Sequence, residues 1–408
     1  MGSHTGTTLE QLARSIEAHK EGLWAVNQEI HTHPELNYQE VHAHNTLCDF
    51  LEKQGYTVTR HAYGLNTSFE AEAGTGTGPL IVYNAEYDAL PEIGHACGHN
   101  LIATSSLAAF LATAEALKAN NANGRVRLLG TPAEEGGGGK IALIKAGAYQ
   151  GADACLMGHP GSRVGTLDGV VNARCMARAG TTITFRGVNA HAGNAPWLGR
   201  NALDAAVAAY TNISMLRQQI HPNQRVHAII SKGGEQPNII PDLTEIQMFV
   251  RAETDTALQD TCQRIIACCE GAATGAGCSV DFKWAESYKD LQCSPAMNDR
   301  FHLHAQADNL NYLASPPTVS GASTDQGNVS YELPSLHPGF LIDVESPEVG
   351  PHHPKFAQAA GTRSAFDAAL QFGKLMAATG CDILDDSSLR ENMWTEHRQK
   401  FSNKASKI

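Results

Sequence analysis

The stretch EYDALPEIGHACGHNLIA, residues 86–103, joins an apolar run to a helical one and concentrates acidic residues, histidines and a cysteine between them. The preceding run LIVYNA, residues 80–85, is short and apolar, which predicts a buried strand. This strand would deliver Glu86 and Asp88 at its carboxyl end, and residues 101–119 continue as a predicted helix. Open α/β sheets bind their ligands at that edge, so the stretch predicts an α/β fold with a site at the strand ends.

Cys97 lies between His95 and His99, and a thiolate with imidazoles is a donor set that zinc sites use. A lone cysteine is more often a small buried hydrophobe, so the two histidines are what favour the metal interpretation. Five residues cannot close a metal site. Further ligands must therefore come from distant parts of the chain.

Two later stretches show the same arrangement, in which a predicted strand is followed by polar residues. RVRLLGTPAEEGGGGK, residues 125–140, predicts a strand, a loop with Glu134 and Glu135, and a helix after the glycines. ACLMGHPG, residues 154–161, predicts a third strand end that bears His159. Each feature has a simpler explanation, because paired carboxylates often mark a solvated face and a histidine can simply end a strand. Their joint occurrence with a cysteine favours a hydrolytic two-metal centre.

Composition restricts the class of partner. The chain has 408 residues, 42% of them hydrophobic, and a formal net charge of −12, which disfavours nucleic acids and anionic membrane surfaces. No apolar run approaches the roughly 20 residues of a membrane span, and the polar start lacks a signal pattern. The ten cysteines are scattered without a framework. We therefore expect a cytoplasmic protein that binds a small molecule, with no nucleic acid or membrane partner.

The first helix is predicted from residue 9 to residue 30 and stops before Pro34. Its end carries His31 and His33, in the triplet HTH. A His-x-His metal pair would need the end of a strand, whereas this triplet closes a helix. We interpret these histidines as a surface cap.

The pattern changes after about residue 172. Alternating strands and two helical runs follow in the order β-α-β-β-α-β, which is typical of a ferredoxin-like split βαβ sandwich. This predicts catalytic-domain residues 1–172, an inserted α+β domain at 173–286, and a return to the catalytic domain at 287–408. The polar sequence DDSSLRENMW, from residue 385 onward, is interpreted as a frayed tail.

The motifs around Cys97, Glu134 and His159, together with further stretches along the chain, resemble the amidohydrolase branch of the aminoacylase and carboxypeptidase-like dinuclear metallopeptidases. The resemblance runs over nearly the whole chain in the same order, and is nearest to the Xaa-Arg and β-alanyl-lysine dipeptidase-like proteins. The stretches that carry it are HPEL (33–36), EYDALPEIGHACGHNLIA (86–103), PAEEGGGGK (132–140), HP (159–160), NAHAGNAPWLGRNALDA (189–205), PNIIPD (237–242), GASTDQGNVSYELPSLHP (321–338) and HHPKFAQAAGT (352–362).

The resemblance implies a mixed-sheet, zinc-peptidase-like catalytic domain with an inserted lid and dimerisation domain. It also implies two divalent cations, with zinc favoured over manganese or cobalt because the donor set includes a soft thiolate. Cys97 would bridge the cations, and His95 would lie behind the ligands. The implied ligands are Cys97, His99, Glu135, His159 and His352.

The implied catalytic roles fall on other residues. Glu134 would be the general base, because a carboxylate that is already coordinated is a poor one. Asp88 would orient a ligating imidazole. His191 would reach the oxyanion from the other chain of a homodimer, unless it simply ends a strand. Asn238 and His227 are weaker candidates for substrate contacts.

The predicted function is therefore hydrolysis of the amide bond of a dipeptide or an N-acyl amino acid by metal-activated water with a glutamate base. An amide-forming or pathway-specific tailoring enzyme could use the same dinuclear site. A silent binding or scaffold protein would require the loss of a key residue, and all five implied ligands and Glu134 are present.

Overall fold

The computed structural model describes residues 6–163 and 165–402. The chain forms two compact units, of which the first comprises Met1–Arg174, Gln292–Thr318 and Asn328–Ile408. The second comprises Cys175–Leu291 and Val319–Gly327. This last segment lies outside the predicted insert, and it joins the second unit through contacts such as the Met176 N–H donating to the Ala322 oxygen at 2.8 Å.

The strands of the described residues, in chain order, are β1 Val58–Arg60, β2 Phe69–Thr75, β3 Leu80–Ala85, β4 Gly124–Gly130, β5 Ala154–Leu156, β6 His159–Ser162, β7 Gly169–Val170, β8 Ala177–Arg186, β9 Arg225–Lys232, β10 Leu243–Ala252, β11 Ser279–Trp284, β12 Tyr312–Leu313, β13 Ser335–Leu336 and β14 Gly339–Ile342.

The α-helices of the same residues are α1 Leu9–Thr32, α2 Val41–Lys53, α3 His99–Asn120, α4 Gly139–Lys145, α5 Ala202–Leu216, α6 Asp255–Ala276, α7 Pro295–Ala307, α8 Gln326–Glu332, α9 Pro354–Ala360, α10 Arg363–Asp385 and α11 Ser387–Ser402.

The central sheet of the first unit has the strand order β1-β2-β4-β3-β5-β13. β3 pairs in parallel with both β4 and β5, so these three strands end at the same edge. All six residues of β3 are buried, as its continuous apolar run predicts. The fold is the predicted mixed α/β class.

The chain leaves this sheet between β5 and β6, where β6 joins a second sheet of order β12-β7-β14-β6. Gly158 lies at the change, and a Cβ atom there would come within 2.1 Å of Phe372 and 2.6 Å of the Pro338 oxygen. His159 is therefore the first residue of β6, beyond the end of the central strand that was predicted to carry it.

Helix α3 is the core helix of the first unit. It packs closely on α10, where a Cβ at Gly373 would come within 2.8 Å of the Ser105 oxygen. Among the described residues it is the one helix with the length and apolar composition to cross a membrane, contrary to the expectation that no run approaches that length, and 89% of its most apolar window is buried in the protein. Its apolar composition is explained by packing on nearly all sides.

The second unit is the predicted split βαβ sandwich. Its sheet has the order β11-β8-β10-β9, and every pairing is antiparallel. Its core lies between the sheet and α5 and α6, around Ile183, Phe185 and Leu258. Asn201 caps α5 and Thr254 caps α6, each with a side-chain oxygen that accepts backbone N–H bonds.

The interpretation of residue 385 onward as a frayed tail is wrong for the described residues, which form α11. Asp386 accepts hydrogen bonds from the N–H groups of Ser388 and Leu389, at 2.9 and 3.1 Å. Leu389 and Met393, one turn apart, are buried. A cap and an apolar pair thus stabilise a helix that its polar composition concealed.

Candidate metal centre

Five loops and helix starts of the first unit bring the predicted ligands together. Cys97 precedes α3 and His99 is its first residue, while Glu135 follows β4. His159 begins β6, and His352 precedes α9. The parallel strands β3 and β4 place Cys97, His99 and Glu135 at one edge of the central sheet, and His159 of β6 and His352 before α9 join them from other elements.

The donor atoms lie close to one another. The Cys97 Sγ atom is 3.3 Å from His159 Nε2, and the His352 Nε2 atom is 3.3 Å from Glu135 Oε1. The His99 Nε2 atom is 3.8 Å from that same Glu135 oxygen. Such spacing between donors fits coordination of shared cations.

These donors form two groups that could each hold a cation. Cys97, His99 and His159 make one group, and Cys97, Glu135 and His352 make the other, with the donor atoms of each group within 4.8 Å of one another. The thiol is common to both. A sulfur atom that bridges two cations would have to belong to both groups, as the Cys97 sulfur does.

Unusual backbone conformations set these loops in place. Gly98, between the predicted ligands Cys97 and His99, has φ +79°, and a Cβ there would come within 2.6 Å of Pro160. Ala133, which precedes the glutamate pair, has φ +59°. His352 has φ +69°, and its N–H donates to the Ala96 oxygen at 2.8 Å. Left-handed non-glycine residues of this kind concentrate at functional sites.

Asp88 contacts His99, the residue whose imidazole it was predicted to orient. The two side chains are fully buried, and Asp88 Oδ1 lies 3.1 Å from His99 Nδ1, which leaves Nε2 directed at the other donors. Burial alone would raise the pKa of Asp88. The charge and hydrogen bond of His99, with backbone N–H bonds from Glu135 and Glu134, outweigh burial and lower that pKa.

Glu134 lies beside the predicted ligands. One of its oxygens is 3.9 Å from His99 Nε2, and only 8% of its side chain is exposed. Glu135, its neighbour, is held by its own N–H, which donates to Asp88 Oδ2 at 2.9 Å. The two glutamates thus have different surroundings, although both reach the same donor cluster.

The donor chemistry fits divalent cations. The His99 Nε2 atom is buried and has no hydrogen-bond partner among the described residues. Burial raises the pKa of the Cys97 thiol well above its usual range, so its thiolate requires a positive charge nearby. Burial, reinforced by the charge of His99, lowers the pKa of His159, which favours the neutral imidazole that metals bind. Cations held by these atoms would satisfy each requirement.

His95 is buried behind the ligands, with its ring stacked on His31 at a centroid distance of 6.2 Å. The end of α1 therefore contributes to the packing of the site. His33 is the exposed cap of α1.

Sequence reasoning missed two residues between α1 and α2. The Asn37 amide, oriented to satisfy both of its atoms, donates to Asp88 Oδ2 at 2.8 Å and accepts from the Gly136 N–H at 3.2 Å. Glu40 accepts from the Ala133 N–H at 2.8 Å. The sequence feature that could have indicated these two residues is the polar run HPELNYQE, which lies between two amphipathic helices.

The structure brings two of the remaining candidates together in the second unit. The Ala192 N–H donates to the Asn238 oxygen at 3.0 Å, so the loops that carry His191 and Asn238 are neighbours. His191 Nδ1 accepts from the N–H groups of Gly193 and Asn194, at 3.2 and 3.1 Å. This fixes the tautomer with the hydrogen on Nε2. His227 lies elsewhere, on β9 opposite Phe249 of β10.

Comparisons with known proteins agree with these motifs. The model of the family described as "Peptidase family M20/M25/M40" matches residues 82–368. The chain is 36% identical to Xaa-Arg dipeptidase of Mus musculus, over 98% of this chain and 95% of that protein. It is 30% identical to one of the subunits of p-aminobenzoyl-glutamate hydrolase of Escherichia coli, over 94% of each chain.

The fold also matches solved structures. One is a dinuclear metal binding peptidase from the M20 family of Bacillus subtilis, with a TM-score of 0.64 and 22% identity, covering 88% of this chain and 98% of that one. The sequence matches confirm the resemblance that the motifs indicate, and this structure has the same fold.

Proposed function

Because the chain belongs to peptidase family M20/M25/M40 and is a metal-dependent hydrolase of amide bonds, we propose that it is a dipeptidase with two divalent cations. The observation that carries this proposal is the pair of donor groups that share Cys97. Hydrolysis is favoured over amide formation, because the similar proteins are named as a dipeptidase and a hydrolase. The proposed ligands are Cys97, His99, Glu135, His159 and His352.

The five proposed ligands would hold the cations, which would supply a lowered pKa of bound water and polarisation of an amide carbonyl. Glu134 accepts a proton from the attacking water at its carboxylate and delivers it to the leaving nitrogen. Its position inside the donor cluster, 3.9 Å from His99 Nε2, supports that role. Asp88 keeps His99 in the tautomer and direction that a ligand needs.

Zinc is the proposed metal. A shared thiolate and three imidazoles are borderline-soft donors, which suit zinc better than the harder manganese. The single carboxylate ligand, Glu135, leaves room for manganese or cobalt as substitutes.

The proposed substrates are dipeptides with a basic carboxyl-terminal residue. The support is the near full-length match to a protein named for Xaa-Arg cleavage. N-acyl amino acids form the second group to test, because the bacterial relative is named for an acylated glutamate.

We also propose a homodimer in which His191 of one chain serves the site of the other. His191 is exposed, and its tautomer presents an N–H donor, which is what a developing oxyanion requires. Exposed apolar residues of α5, such as Tyr210 and Met215, and of the edge strand β9, such as Ile229, support association through the second unit.

A reducing compartment, such as the cytoplasm, is the proposed location. All ten cysteines are free thiols in the structure, and several of them, such as Cys48 and Cys381, are buried in the core.

A hydrolysis panel tests the proposal. Purified protein is assayed on Ala-Arg, Ala-Lys and Ala-Glu dipeptides, N-acetyl amino acids and p-aminobenzoyl-glutamate, before chelation, after chelation, and after zinc or manganese is restored. We expect cleavage of the basic dipeptides first, abolished by chelation and recovered with metal. Cleavage that survives complete metal removal would contradict the proposal, and cleavage of acyl substrates alone would replace the substrate class.

A further inference from the structure

The loop of the glutamate pair is held from outside by one short segment, residues 36–40, which lies between α1 and α2. Ahead of the pair, Glu40 accepts a hydrogen bond from the Ala133 N–H at 2.8 Å. Behind the pair, the Asn37 amide oxygen accepts from the Gly136 N–H at 3.2 Å. The segment therefore binds the loop on both sides of the two glutamates.

Tyr38 makes the third contact of this segment, and the mechanism above does not use it. Its hydroxyl donates to the Gly137 oxygen at 2.9 Å, and a Cβ at Gly137 would come within 2.4 Å of its ring. Tyr38 has φ +61°, a left-handed conformation that persists in a residue with a side chain only where the surroundings enforce it. The ring and the hydroxyl are therefore held in one place.

The residue that Tyr38 holds closes a turn over the glutamate pair. The Gly137 N–H donates to the Ala133 oxygen at 3.1 Å, so the turn from 133 to 137 encloses both glutamates. Ala133, at its start, is also left-handed, with φ +59°. Because the turn is this short, a displacement of Gly137 would move Glu134 with it.

Such a displacement would affect the two glutamates differently. Glu135 is the proposed ligand, and its N–H donates to Asp88 Oδ2 at 2.9 Å, so cations and Asp88 would still hold it after a small movement. Glu134 is the proposed base and must reach a water molecule. A misplacement of about 1 Å in a catalytic group can cost about 100-fold in rate. Turnover should therefore be more sensitive than metal content to the position of the turn.

We propose that Tyr38 is a positioning residue for Glu134, and that its hydroxyl holds the turn where the base reaches the attacking water. This inference rests on the proposed function, in which Glu134 is the base. The tyrosine keeps its proton throughout. Because 41% of Tyr38 is exposed, direct contact with the substrate is the alternative role, and kinetics separates the two.

The test begins with Tyr38→Phe, which removes the hydroxyl and keeps the ring against Gly137. We expect kcat to fall about tenfold, with KM and metal content within about twofold of wild type, because only the position of the base changes. Tyr56→Phe is the matched control and should keep the activity of wild type. It also removes one hydroxyl, from a half-buried ring that packs on Phe110.

A double-mutant cycle shows whether the hydroxyl acts through the base. In a Glu134→Gln background, Tyr38→Phe should lower the residual turnover by less than about twofold, because no base remains to be positioned. A full tenfold loss in that background would contradict the inference.

Two outcomes of the single variant would also overturn it. One is an unchanged kcat, and the other is a raised KM with kcat intact, which would place the hydroxyl on the substrate. If wild type shows no metal-dependent hydrolysis, the proposed function fails. If wild type hydrolyses its substrate and Tyr38→Phe equals it, only this inference fails.

Discussion

Two sets of metal-competent side chains lie in the first unit, and they differ in burial and in the partners of their donor atoms. Most of the centre around Cys97 is buried, with Cys97 6% exposed and His99 fully enclosed, whereas its His352 side chain is 55% exposed. A second set, which we call the surface trio, consists of Glu29, His33 and His42, whose donor atoms also lie within 4.8 Å of one another. The side chains of the trio are 40–53% exposed.

The partners of the donor atoms separate the two sets. In the surface trio, Glu29 Oε2 pairs with His42 Nε2 at 3.0 Å, and His33 Nδ1 donates to the Glu29 backbone oxygen at 2.9 Å. In the buried centre, His99 Nε2 has no hydrogen-bond partner among the described residues, and Glu135 Oε1 faces His352 Nε2, itself a predicted ligand, at 3.3 Å. Donor atoms that are already satisfied by each other or by water gain little from a cation, so the comparison predicts that the buried set alone binds metal.

The largest expected effect is that of Cys97→Ala. Loss of the shared donor should remove metal from both groups and reduce turnover below detection, because each group then retains only two ligands. Elemental mass spectrometry of the purified variant provides the measurement. His42→Ala is the matched control and should keep the metal content of wild type; a loss of metal in that control would break the comparison.

Glu134→Gln should separate chemistry from binding. The amide cannot accept the proton, so turnover should fall by about 10²–10⁴-fold while the metal content remains that of wild type. Steady-state kinetics and metal analysis on the same sample check both statements. If metal is lost in proportion to activity, Glu134 is a ligand and not the base.

A smaller effect is expected from Asp88→Asn. The amide can still contact His99 Nδ1 but no longer offers the charge that holds the imidazole, and metal affinity should fall by about 10–100-fold. Chelator competition with zinc measures the change. Unaltered affinity would show that the orientation of His99 is set by packing alone.

A prediction about stability rather than metal binding concerns Glu40, which supports the loop of the glutamate pair. Burial, followed by the charge of Asp88, raises the pKa of Glu40 to about 7 from 4.5. The folded protein then binds this proton more tightly than the unfolded chain, so wild type loses stability as pH rises from about 4.5 to 7. Relative to wild type, Glu40→Gln should gain on the order of 3 kcal/mol across that interval.

Denaturant unfolding of the metal-free proteins at pH 4.5, 6 and 8 measures this difference. Glu10→Gln, which alters an exposed carboxylate at the start of α1, is the control for a general charge effect. A constant difference between Glu40→Gln and wild type at all three values would refute the raised pKa.

The sequence permitted prediction of the elements that a local pattern determines. β3, β4 and β5 were predictable from their short, largely apolar runs, whereas the five ligand positions were implied by the family resemblance. The split βαβ unit was predictable from its order of strands and helices. These features depend on short stretches whose period and composition survive in the folded chain.

Features that depend on distant partners could not be predicted. Lys140 reads as the start of a helix, and only the fold shows it buried against Glu86. Asn37 supports Asp88 across about 50 residues of chain, through a contact with no local signature. The helix α11 was missed because two buried apolar residues and one cap outweigh a polar composition.

An anomalous-diffraction crystal structure of the zinc-loaded protein tests the central claim most directly. We predict two zinc peaks in the buried centre, both within about 2.3 Å of the Cys97 sulfur, and none at the surface trio. A single peak, or two peaks of which one lies beyond reach of Cys97, would contradict the shared thiolate on which this account depends.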